Sequence, residues 1–136
     1  MLFTNDFAVF EVILAIVVVY FATGFLVKKI SMKRKGQILS RYGAVRKQSL
    51  ELQKTLSHQV LSDTADRATL NGQISYADFY RQLKSNHVYN LSDKYVSKVK
   101  NSNNPLFLNK AERNLQEQEE KLKSAEQLIS GTMLLQ

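Results

Sequence analysis

Residues 7–35 read FAVFEVILAIVVVYFATGFLVKKISMKRK, and this stretch decides the fold class. Its first 21 positions, Phe7 to Val27, carry one charge, Glu11, and its last eight carry five bases. As a helix rising about 1.5 Å per residue, 21 residues reach roughly 31 Å, the thickness of a bilayer's hydrocarbon core. A secretory signal peptide would open on bases and close on a small-residue cleavage site. Here MLFTNDFAVFE holds no base and the apolar run ends in LVKKISMKRK, so the segment is expected to be an anchor that stays.

Charge on either side of the run gives an orientation. Residues 1–27 contain Asp6 and Glu11 and no base. Residues 28–54 contain nine bases (Lys28, Lys29, Lys33, Arg34, Lys35, Arg41, Arg46, Lys47 and Lys54) against Glu51, a net of +8. Cytoplasmic flanks are enriched in Lys and Arg, so residues 1–6 are expected outside the membrane and everything after residue 27 in the cytoplasm. Bases this close to a bilayer attract anionic headgroups, at about 1 kcal/mol per residue. Lys28, Lys29, Lys33, Arg34 and Lys35 are therefore the expected lipid-headgroup contacts.

Glu11 sits about a turn inside the outer end of the run, where a carboxylate can reach the headgroups and meet the positive end of the helix dipole. Ala8, Ala15 and Ala22 recur at intervals of seven and share a stripe with Glu11. Small residues allow close approach of helices in lipid, which makes Ala8, Glu11, Ala15 and Ala22 the candidate intramembrane contact. Phe7 followed by Glu11 and an aliphatic run resembles the mature N-terminus of type IV pilins. The family's leader is basic and ends in glycine, whereas MLFTN has no base and Asp6 stands at the glycine position. Pilins also carry a β-sheet head outside the cell, and the basic flank contradicts that placement.

Beyond the membrane the pattern is helical throughout. Ile38, Tyr42, Val45, Leu52, Leu56 and Val60 follow steps of three, four and seven, which predicts one apolar face on a helix over residues 28–61, weakest at Gly36 and Gly43. Residues 62–104 read as a helical corner with short helices. Within them LNGQISYADFYRQL offers Asn71 and Gly72 as a left-handed stop, Ser75 and Asp78 as a capping pair, and Ile74 and Phe79 as a hydrophobic staple. This short pattern resembles the second half of an EF-hand loop and the helix-turn repeats of SHOCT domains. The calcium reading fails on its own terms, since the first two ligand positions fall on Arg67 and Thr69 and Asp78 replaces the closing glutamate. A helix from Asp93 to Lys100 is expected next. The last spans residues 105–131, with Asn104 as N-cap, Pro105 at its first position and Gly131 as its stop, leaving a tail over residues 132–136.

That last helix carries Leu108, Ala111, Leu115, Leu122, Ala125 and Ile129 on a seven-residue repeat, broken by Gln118 where an apolar residue belongs. A partner helix is expected along this seam. The fold class is thus all-α: one N-terminal transmembrane helix and three or four cytoplasmic helices, the last short and coiled-coil-like.

Catalysis finds no support in the residues. There is no cysteine, and His58 and His87 lack ligand partners at metal-binding spacing. Gly-rich phosphate loops, G-x-S-x-G elbows and H-E-x-x-H pairs are missing too. No metal, cofactor or small-molecule substrate is implied. The bases lack interleaved stacking aromatics, apart from Tyr42, which argues against nucleic acid. Membrane lipid and other protein subunits, possibly further copies of the chain, are the expected partners. Two roles fit: a membrane-anchored adaptor or accessory subunit, or a membrane-active oligomer such as a phage lysis, superinfection-exclusion or genome-ejection component. A b-type stator subunit of ATP synthase shares the topology, but its long helix should not break at Asn71-Gly72 and Asn104-Pro105.

Overall fold

The computed structural model describes residues 2–61, 69–70, 72 and 74–133, with side chains for residues 7–61, 72 and 74–131. Four helices dominate: α1 (Leu2–Val60), α2 (Tyr76–Asn90), α3 (Asp93–Asn101) and α4 (Pro105–Met133). Two two-residue strands, β1 (Thr69–Leu70) and β2 (Ile74–Ser75), pair antiparallel with Leu70 opposite Ile74. The chain divides into two compact units, Met1–Gly36 and Gln37–Gln136.

In the first unit every described side chain from Phe7 to Lys33 is exposed. A helix that is apolar all round has no polar side to offer water, and this one is long and apolar enough to cross a membrane. The expected boundary between residues 27 and 28 does not interrupt the backbone, because α1 runs through it and through Gly36 and Gly43. A helical glycine costs only about 1 kcal/mol relative to alanine, too little to stop a helix that is sustained on both sides.

The second unit is built on two long stripes. On α1 the buried positions are Ile38, Tyr42, Val45, Ser49, Leu52 and Leu56, and on α4 Leu108, Ala111, Leu115, Gln118, Leu122, Ala125 and Ile129. Both sets advance in alternating steps of three and four, so each keeps one face inward over several turns. Cross-links between the helices give their direction. Arg41 Nη2 meets Glu119 Oε2 at 2.7 Å, and seven residues later Gln48 Nε2 donates to Glu126 Oε2 at 3.0 Å. Both links join a residue to the one 78 positions further on, which makes the two helices parallel. Parallel neighbours need a long return connection. Residues 61–104 supply it, and Tyr76, Leu83, Leu91 and Val99 close the core from that side.

Local signals hold the return in place. Ser75 Oγ accepts from Asp78 N at 3.1 Å and donates to Asp78 Oδ2 at 2.9 Å, capping α2. Ile74 and Phe79, the staple pair, both pack against the core. Ser92 caps α3 through Tyr95 N at 3.3 Å, and Asn104 Oδ1 accepts from Leu106 N at 2.9 Å ahead of Pro105. Two expectations need correction. Gly72 does not end a helix: it has φ +71° in the turn between β1 and β2, a conformation glycine adopts without a Cβ penalty. Asn71, its expected companion, lies outside the described residues, as do Arg67 and residues 134–136. Gly131 does not end α4, which continues to Met133.

Candidate functional site

The two units present different candidates. In the first, Ala8, Glu11, Ala15 and Ala22 are exposed along α1, as are Lys28, Lys29 and Lys33 beyond the apolar run. Arg34 and Lys35, from the same basic cluster, are half-buried and engaged in interactions of their own.

In the second unit the seam of α4 has a different fate from the one expected. Leu108, Ala111, Leu115, Leu122, Ala125 and Ile129 are all buried within this chain. The helix that covers them is the second half of α1, with α2 and α3 completing the enclosure, so within this chain they form a core. The apolar face of α1 and the apolar face of α4 each find their partner in the other. An open groove of about 610 Å³ lies between α2 and α4. Phe79, Leu83, Ala125 and Leu128 give it an apolar lining, and Glu117 and Lys121 add charge.

A polar layer crosses the core at the level of Ser49 and Gln118, which are 0 % and 1 % exposed. His87 Nδ1 of α2 lies 2.9 Å from Ser49 Oγ, which also accepts from Gln53 Nε2 at 3.2 Å. Asn86 Nδ2 donates to Gln118 Oε1, and Asn90 Nδ2 donates to Asn86 Oδ1 at 2.8 Å. Two turns earlier, the buried Tyr42 hydroxyl donates to the Ala111 carbonyl at 2.9 Å and accepts from Asn114 Nδ2 at 3.3 Å. Buried polar groups are costly unless bonded, and each of these finds a partner on another element or on its own helix.

Electrostatics follow from this burial. Loss of water pushes the Tyr42 hydroxyl well above its ordinary range, although Asn114 pulls the other way. Burial also lowers His87, Arg46 adds to the effect and Asp93 opposes it. Arg46 reaches Asp93 Oδ1 at 2.5 Å, while its buried Nε has no hydrogen-bond partner among the described residues. The bidentate hydrogen bonds to Glu119 hold Arg41 firmly protonated.

A serine beside a histidine invites comparison with a nucleophile and its base. Ser49 is wholly enclosed, so no substrate carbonyl can reach its Oγ, and the pair serves to join α1 to α2. Among the described residues no three His, Asp or Glu side chains gather as a metal site would require. Sequence reading passed over Ser49 and Asn86 and weighed His87 only as a metal ligand. The available signal was a hole in each stripe: the steps from Val45 to Leu52 and from Leu115 to Leu122 both skip a heptad position, filled by Ser49 and Gln118. Compared with known proteins, the chain matches no protein-family model, no curated protein and no solved structure.

Proposed function

We propose that this chain is a single-pass membrane-anchored adaptor or accessory subunit, with its N-terminus outside, its helical domain in the cytoplasm, and a binding rather than a catalytic role. The observation that carries this reading is the contrast within α1. A run of 21 positions whose one charge is Glu11, exposed throughout and without a covering partner among the described residues, is followed by a basic flank and then by a domain with a buried core. Exposed apolar surface of that extent calls for lipid, and the one-sided bases favour the cytoplasm for the domain beyond them. Docking onto a larger assembly then falls to the domain's surface, where the groove between α2 and α4 is a concave feature with an apolar lining.

Labelling in intact cells tests the topology. A cysteine introduced at Thr4 is expected to react with a membrane-impermeant thiol reagent, and one at Ser31 to resist it until the membrane is permeabilised. The chain has no cysteine of its own, so the background is clean. Reaction in the reverse order would overturn the orientation.

A further inference from the structure

The outward face of α2 combines features that its inward face lacks. Arg81, Lys84, Ser85, Val88 and Tyr89 are all exposed and line a shallow concavity along one side of the helix. Val88 is 59 % and Tyr89 77 % exposed, so an aliphatic and an aromatic side chain stand in water beside two cations. The acid nearest this face, Asp78, lies at the start of the helix and holds Arg81 only through an exposed contact at 3.4 Å. A surface ion pair of that kind is weak and leaves the guanidinium available to a stronger anion.

We infer that this face of α2 is a second lipid contact, which lays Val88 and Tyr89 into the headgroup region of an anionic bilayer while Arg81 and Lys84 meet its phosphates and carboxylates. The inference rests on the membrane-anchored reading above. Two considerations select lipid over an acidic protein. Tyrosine with an apolar body and a polar tip, flanked by long cationic side chains, suits the zone between hydrocarbon and water. The domain also begins at Gln37, directly after the basic flank of the apolar helix, so a bilayer surface is present at high effective concentration without any binding event to bring it there. Attraction between exposed cations and anionic lipid is screened by salt, which gives the contact a signature of its own.

The chain contains no tryptophan, so Tyr89→Trp places a single indole on this face. The full-length variant is reconstituted into nanodiscs of phosphatidylcholine alone or with phosphatidylserine. In the anionic discs its emission is expected to shift to shorter wavelength and to be quenched by nitroxide-labelled lipid. High salt, or adding Arg81→Glu and Lys84→Glu, is expected to abolish both effects while far-ultraviolet circular dichroism stays unchanged. Identical emission in the two lipid compositions overturns the inference, and points to a protein or nucleic-acid partner if this face is used at all. An equal shift in both overturns its electrostatic basis. Failure of the chain to incorporate into discs overturns the anchored reading and the inference together, and co-fractionation with the discs distinguishes that result from the others.

Discussion

The two halves of α1 share a backbone and differ in how their apolar residues are spaced. From Phe7 to Val27 they surround the helix and the chain buries none of them; from Ile38 to Leu56 they recur every third or fourth residue and are enclosed. The first half has more apolar surface and makes no core, while the second has less and makes one. Amount of hydrophobicity and its periodicity therefore carry separate messages. An all-round apolar helix asks for lipid, and a stripe asks for another helix.

That contrast is most easily broken at α4. Leu115 and Leu122 are fully buried, and each change to alanine is expected to remove about 2–5 kcal/mol. Together they approach the whole stability of a small domain, roughly 5–15 kcal/mol. The double variant should lose cooperative thermal unfolding of the domain, monitored by circular dichroism, yet remain in the membrane fraction after carbonate extraction. A variant that keeps a wild-type melt would show that the α4 stripe is not a core.

A smaller effect is expected at the polar layer. Gln118→Leu removes the acceptor of Asn86 and leaves a half-buried amide short of a partner, at a cost of about 1–3 kcal/mol. Adding Asn86→Leu should recover part of that loss, because both halves of the pair are then apolar. A double-mutant cycle in urea measures the coupling, and strict additivity would mean that the two side chains act independently.

The pH dependence sharpens the same point. His87 binds its proton less readily in the folded domain than in the unfolded chain, where the ordinary value is 6.5. Its contribution to stability is complete above that value and is lost as pH falls through it toward the lower folded value. Melting temperature should therefore drop between about pH 7.5 and pH 5.5, and His87→Gln should drop less. Equal drops would remove His87 as the cause.

The least effect on the domain is expected from Ala15→Phe, which lies in the exposed half of α1 and should leave the melt unchanged. In detergent it asks a different question. Loss of self-association in this variant, measured by light scattering, would favour an oligomer assembled through the span and against an adaptor working through its domain, because a bulky ring holds helix backbones apart in lipid.

Helices, caps and stripes were legible because their signals are local. Ser75, Asn104 and Pro105 lie within a few residues of what they cap, and Leu108 to Ile129 repeat along one helix. Direction was not legible, since a heptad reads the same whether its partner runs parallel or antiparallel. The partner's identity escapes the sequence for a related reason: the stripe of α4 reads as a seam for another subunit although an equal stripe stands at Ile38 to Leu56. His87 stands alone in the sequence because Ser49 is 38 positions away and comes near only in the fold. The β1–β2 ribbon, two residues per strand, is shorter than any period can reveal.

The parallel alignment of α1 with α4 also sets an order of events during synthesis. About 50 residues separate Leu56 from Pro105, and at roughly 5–20 residues per second the ribosome needs about 2–10 s to reach the start of the helix that covers the first stripe. In the meantime α2 and α3 are the elements at hand to shield part of Ile38 to Leu56, because the links from α1 to α4 span 69 to 78 residues whereas Ser49 and His87 are 38 apart. Through that interval the nascent chain holds two apolar surfaces, the all-round run from Phe7 to Val27 and the stripe from Ile38 to Leu56 that waits for α4.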